Sequence, residues 1–195
     1  LVTPQVVGSG DVFLAPLPHM ITVTTWPAAE PGATSHVVSG GKCASGSWAE
    51  FCQLIETAHD ENRVYPKGTG PHFNPTINPT GYRNNVSTVA VTALALDCDG
   101  AGDWHTLLAE LDHQGVAYLA YRSGGHTPEL PKWRIVLPFS TPYVVNHSDS
   151  RHWHRIYDHG RRVIGKLAGF TENGFDPATK AVSNVFYLGH RRTED

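Results

Sequence analysis

At 195 residues, with 40% apolar and 17% charged side chains, the chain is long enough for its own hydrophobic core and too apolar for a disordered segment. No apolar run reaches membrane-spanning length, and no signal-peptide pattern opens the chain. The net charge of −3 does not by itself point to a nucleic-acid partner, and it hides an asymmetry: residues 1–121 hold 4 Lys and Arg against 11 Asp and Glu (−7), and residues 122–195 hold 11 against 7 (+4), a basic half of the kind a template groove needs. The first residue is Leu1, which points to a trimmed or excised fragment. Three cysteines, Cys43, Cys52 and Cys98, are odd in number and carry no CxxC spacing, which argues for reduced thiols in a cytoplasm. A zinc site built from Cys43, Cys52 and nearby histidines has little support.

In chain order, residues 1–46 are rich in Gly, Pro and Ser, with one plausible strand at Met20–Thr25, and are expected to pack as a strand and loop segment on the core that follows. Ser47 opens a helix with a capping box to Glu50, and Trp48, Phe51, Leu54, Ile55 and Ala58 recur at helical spacing. Pro66–Thr80 holds four prolines and reads as a long loop, flanked by Lys67 and Arg83, which could reach phosphates. Residues 89–100, Val-Ala-Val-Thr-Ala-Leu-Ala-Leu-Asp-Cys-Asp-Gly, fit a strand buried on both faces. Asp103 caps a short helix with Leu107, Leu108 and Leu111 on its apolar stripe, and Gly115 ends it. A strand ends near Tyr121, a glycine-containing loop presents His126, and a further strand starts near Trp133 with Arg134 at its head. Ser150–Leu167 reads as a helix carrying Arg151, Arg155, Arg161, Arg162 and Lys166, and Ala181–Leu188 as a final strand. No internal repeat or interdomain linker is visible, so residues 47–195 form one expected catalytic domain with residues 1–46 packed on it.

The chemistry concentrates at the end of the long buried strand. Side chains at i and i+2 of a strand share a face, so Asp97 and Asp99 leave it side by side. Two carboxylates held that close repel unless something positive lies between them, and hard Mg²⁺ or Mn²⁺ favours carboxylate oxygens. The same repulsion predicts that removing one of them raises the stability of the metal-free protein. The competing reading is an exposed strand end running into an Asp-Gly turn. With His, Arg and Lys on the next loop, the unit suits a metal-bound triphosphate whose phosphate oxygens accept from His126 and Arg134.

Four runs carry a resemblance: Leu-Asp97-Cys-Asp99-Gly, Tyr-Arg-Ser-Gly-Gly-His126-Thr-Pro-Glu, Lys-Trp-Arg134-Ile-Val-Leu-Pro and Gly-Phe-Asp176-Pro-Ala-Thr-Lys. From about Trp48 to Arg191 the chain resembles the archaeo-eukaryotic primase superfamily, in particular the primase-polymerase domains at the N-termini of phage and plasmid replication proteins. Such domains carry a hydrophobic-Asp-x-Asp motif, a small-x-His motif and a later hydrophobic-Asp motif. The resemblance implies an α/β (α+β) core with an RNA-recognition-like mixed sheet flanked by helices. It implies Asp97, Asp99 and Asp176 as ligands of two Mg²⁺ or Mn²⁺ ions. Ser123, His126, Lys132, Arg134 and Lys67 would bind the incoming nucleoside triphosphate, with single-stranded DNA as template and a helicase domain or subunit as a further partner. The chain departs from the pattern at Asn184, where an arginine is common, and at Gly189, where a proline usually closes the strand.

Two other classes compete. His152-Trp153-His154 matches the His-hydrophobic-His motif of rolling-circle replication and relaxase endonucleases, with Tyr157 as nucleophile. That chemistry wants both histidines on a strand, whereas these sit in a helical pattern. The other is a nucleotide- or nucleic-acid-binding module without catalysis, supported only by Asn184. The reading adopted is a two-metal primase-polymerase.

Overall fold

The computed structural model describes residues 20–30, 38–60, 64–66, 69–99, 103–123, 126–127, 129–167, 169, 174–188 and 191–192. Its centre is the apolar run expected to be a buried strand. β6 (Ala90–Asp99) pairs on one side with β5 (Thr76–Ile77) and on the other with β8 (Lys132–Val144), which pairs in turn with β7 (Leu119–Arg122). Helix α2 (Trp104–His113) connects β6 to β7, and α3 (Ser150–Leu167) follows β8. The resulting order β5-β6-β8-β7 places the third strand of a β-α-β-β unit between the first two, the split arrangement of RNA-recognition-like sheets. The edge beside β6 is filled from upstream by β5. The expected α+β architecture is present, with one difference. Every hydrogen-bonded pair in this sheet is antiparallel, so it is not mixed at the level of neighbours. β6 and β7 do run parallel to each other, but β8 lies between them.

Burial explains why β6 lacks polar alternation. Leu94, Leu96 and Cys98 join a cluster with Trp104, Leu107, Leu108 and Leu111 of α2 and Trp153, Tyr157 and Ile164 of α3. Ala93 and Ala95 face a second cluster, built with Ile21, Val23, Phe73 and Phe186 and with Trp48, Phe51, Cys52 and Ile55 of α1 (Trp48–Asp60). A strand apolar on both faces is therefore sandwiched between helices and a second sheet. α3 comes close enough that a Cβ at Gly160 would stand 2.4 Å from Leu94 Cδ2.

The second sheet has the order β2-β1-β4-β9 and is antiparallel throughout, with β1 (Ile21–Trp26), β2 (Lys42–Gly46), β4 (His72–Asn74) and β9 (Phe186–Tyr187). β1 falls where Met20–Thr25 was expected, but β2 was not foreseen, because four of its five residues are exposed and leave no apolar pattern. The stretch Pro66–Thr80 is not one long loop. It supplies β4 and β5, with His72 and Phe73 fully buried and Trp26 stacked on His72 at 5.3 Å. Strands of three and two residues are too short to show a period, and the prolines around them read as breakers. Ala181–Leu188 is likewise a strand only at Phe186–Tyr187, preceded by a 3-10 helix at Pro177–Lys180. A parallel pair, β3 (Val64–Tyr65) with β10 (Arg191–Arg192), completes the strands.

The helix starts were legible. Ser47 N donates to Glu50 Oε2 at 2.6 Å and Glu50 N donates to Ser47 Oγ at 3.2 Å, closing the capping box on α1. Asp103 Oδ1 accepts from Thr106 N at 3.1 Å, and Gly115, at φ 64°, ends the chain's path out of α2. Leu54 leaves the expected apolar stripe of α1 and is 40% exposed.

Candidate functional site

The ends of β6, β7 and β8 lie in register. Asp97 is opposite Arg134, and Arg134 is opposite Tyr121, so three side chains from three strands share one row. Asp99 stands opposite Lys132 one step further out, and the Asp99 side chain lies outside the described residues.

Arg134 is inside the protein. Its side chain is 6% exposed, and its Nη2 donates to Asp97 Oδ2 at 2.7 Å. Its Nη1 donates to Tyr121 Oη at 3.2 Å and to the Tyr187 carbonyl at 3.3 Å. The guanidinium also lies 5.0 Å from the Phe186 ring centroid and 5.4 Å from that of Tyr121. Burial disfavours its charge, but Tyr121 and Asp97 more than offset this and hold its pKa above the ordinary value. Burial likewise pushes the Tyr121 hydroxyl up to about 12, against the pull of Arg134. Arg134 was expected to grip the triphosphate, but the structure engages its fork with a carboxylate, a phenol and a carbonyl.

The other Asp97 oxygen is different. Oδ1 is buried and has no hydrogen-bond partner. A buried carboxylate oxygen without a donor loses its water and gains nothing in return, a cost of about 1–3 kcal/mol or more for a charged group. Beside it, Asp176 N donates to the Asp97 carbonyl at 2.9 Å, and an antiparallel bridge joins Cys98 to Phe175. Phe175 is 2% exposed and anchors this contact in the core. Asp176 immediately precedes the 3-10 helix, its carbonyl accepting from Thr179 Oγ1 at 2.8 Å. Tyr157 of α3 sits beneath, its hydroxyl hydrogen-bonded to Thr179 Oγ1, and burial pushes that hydroxyl up to about 12.

The β7–β8 connection is tight on the described residues. Ser123 N donates to the Lys132 carbonyl and His126 N to the Ser123 carbonyl, each at 3.0 Å. His126 Nδ1 lies 3.1 Å from Lys132 N and 3.2 Å from the Lys132 carbonyl, so the Lys132 backbone holds this nitrogen and Nε2 is the one turned away from it. The imidazole meets the Trp133 ring edge-on at 5.7 Å, and Trp133 stacks on Trp104 of α2 at 5.2 Å. Gly124, Gly125 and Lys67 lie outside the described residues. Thus the structure brings Asp97 and Asp176 together and sets Ser123, His126 and Lys132 on one turn. Tyr121 and Trp133, which fix Arg134 and His126, were missed. They read as ordinary core aromatics, and only register shows what they touch.

Among the described residues no group of three or more His, Cys, Asp or Glu side chains is arranged to hold a metal ion. The donor chemistry nonetheless fits a hard cation: Asp97 Oδ1 is an orphaned carboxylate oxygen, and Asp176 is pinned against the same strand end. The endonuclease triad does not assemble. His152 is exposed and within 3.2 Å of Tyr143 Oη, while Tyr157 is 1% exposed with its hydroxyl engaged. Asn184 lines a small cavity with Asn74, Tyr157, Thr179 and Phe186. No helix among the described residues is long and apolar enough to cross a membrane.

No protein-family model matches the chain, and no curated protein matches it. Among solved structures, it is similar to the AEP domain of the cyanophage S-2L primase-polymerase, at 16% identity and a TM-score of 0.39, over 88% of this chain and 73% of that one.

Proposed function

We propose that this chain is a primase-polymerase catalytic domain that transfers nucleotides onto a growing strand opposite single-stranded DNA. The observation that carries the reading is the orphaned Oδ1 of Asp97 beside Asp176, at the end of a strand that also ends in Asp99. Asp97, Asp99 and Asp176 would hold two Mg²⁺ or Mn²⁺ ions. When bound, such ions lower the pKa of the attacking hydroxyl and neutralise charge on the leaving pyrophosphate. His126 would donate through Nε2 to a phosphate oxygen of the incoming triphosphate, and the turn it shares with Ser123 and Lys132 holds its other ring nitrogen. Lys132, and Lys67 from upstream, would add positive charge to that side. His126 need not act as a base, because phosphoryl transfer depends mainly on positioning and charge.

The template proposal draws on α3. Arg151, Arg155, His159, Arg162 and Lys166 recur at steps of three and four and are all exposed. They form one stripe about 22 Å long at 1.5 Å per residue. Asp158 is the only acidic residue on the helix. Asp149 pairs with Arg151 at 3.3 Å and Asp158 stands beside Arg155 and Arg162, so the stripe is not free of acid but stays net positive, which suits a polyanion.

The test is incubation with single-stranded DNA, labelled nucleoside triphosphates and Mn²⁺, which is expected to give extended products. Nucleotide binding without extension would favour the inactive binding module. Nicked DNA covalently held through Tyr157 would favour the endonuclease. His126→Ala is expected to weaken nucleotide binding about ten- to a hundredfold by calorimetry while leaving DNA binding unchanged.

A further inference from the structure

A buried ion pair is a poor way to stabilise a sheet end, since an apolar pair of similar volume does as well or better. Here the pair comes with a second cost, the unpartnered Asp97 Oδ1. Both costs have one explanation if the pair exists to aim a lone pair. We infer that Arg134 is a positioning residue: it clamps Asp97 Oδ2 and fixes the carboxylate so that Oδ1 alone is presented to a divalent cation. The clamp is itself held. Tyr121 Oη and the Tyr187 carbonyl receive Nη1, so the direction of a β6 carboxylate is set by β7 and by β9 of the other sheet. The inference rests on the cation reading of this site and departs from a phosphate-gripping Arg134. The guanidinium acts through Asp97 and touches no substrate.

Oriented outer partners of metal ligands typically carry ten- to a hundredfold in metal affinity. The experiment titrates Mn²⁺ into wild type, Arg134→Met, Arg134→Lys and Tyr121→Phe, following the free-ion electron paramagnetic resonance signal, and measures nucleotide KM and kcat at saturating Mn²⁺. Arg134→Met is expected to weaken Mn²⁺ binding at least tenfold and lower kcat, with KM for nucleotide within about twofold of wild type. Arg134→Lys keeps the charge without the fork and should recover part of the loss. Tyr121→Phe keeps the ring, removes one bond to the clamp and should weaken Mn²⁺ binding a few-fold. If Arg134→Met does not fold, the other two variants decide. A rise in nucleotide KM with unchanged Mn²⁺ affinity would make Arg134 a phosphate ligand and overturn the inference. Unchanged Mn²⁺ affinity in both Arg134→Lys and Tyr121→Phe would overturn it too, leaving the catalytic reading standing. Absence of Mn²⁺ binding by wild type would overturn both.

Discussion

Asp97 has two oxygens with opposite surroundings, and this decides what its removal does. Repulsion from Asp99 led to the expectation that losing one carboxylate stabilises the metal-free protein. The structure reverses that sign for Asp97, because Arg134 is buried against it and would be left without its counter-charge. Breaking a fully buried pair from one side costs about 3–5 kcal/mol, and with the Asp97 side chain 23% exposed the loss here falls toward the low end of that range. Asp97→Ala should therefore lower the urea midpoint markedly, and Asp97→Asn less, since the amide oxygen still accepts from Nη2. Extension should fall at least a hundredfold in both variants if the ions supply about 3 kcal/mol or more to the transition state. Single-turnover extension checks the rate, and an unchanged urea midpoint in Asp97→Ala would contradict the pairing.

Among the elements, α3 shows how one helix serves two neighbours. Its inner face approaches β6 so closely that a Cβ at Gly160 would meet Leu94 at 2.4 Å. Replacing glycine by alanine in a helix contributes about 1 kcal/mol, while overfilling a packed contact costs about 1–3 kcal/mol. Gly160→Ala should thus be neutral to destabilising in the parent protein. In the Leu94→Ala background the same change should stabilise by about 1 kcal/mol, because the space is then free. A double-mutant cycle in urea measures this, and additivity would show that the close approach carries no energy. The outer face makes a separate prediction. Arg155→Glu with Arg162→Glu should weaken single-stranded DNA binding and flatten its dependence on salt, with helicity unchanged by circular dichroism. An unaltered salt slope would mark the stripe as merely solvated.

For the whole molecule, the layers trap phenols that resist ionisation. Tyr121 lies between the sheets and Tyr157 between α3 and the 3-10 helix, and burial pushes both from an ordinary 10 to about 12. A hydroxyl raised in this way stays neutral when the unfolded chain would already ionise it. Its contribution is fully present below pH 10 and is lost as pH rises through about 12. The urea midpoint should hold to about pH 10 and then fall steeply. Absorbance at 295 nm should show a late group of tyrosines titrating together with unfolding. Titration of every tyrosine near pH 10 with the fold intact would contradict the burial of these two.

The sequence by itself determined the elements long enough to show a period or a cap: β6, α1 with its Ser47–Glu50 box, α2 from Asp103, and α3 over Ser150–Leu167. It also placed Asp97 and Asp99 at a strand end and His126 on the turn before β8, because alternation along one strand is a local property. Tertiary structure decided what depends on partners distant in sequence. Strands as short as β4 and β5 exist only because neighbouring strands satisfy their backbone. The split order of β6, β8 and β7 puts Arg134 between Asp97 and Tyr121, and the bridge at Phe175 sets Asp176 against Asp97. No residue spacing encodes which oxygen of a carboxylate an arginine will take. That is fixed by register across strands, and register comes from the packing of whole faces.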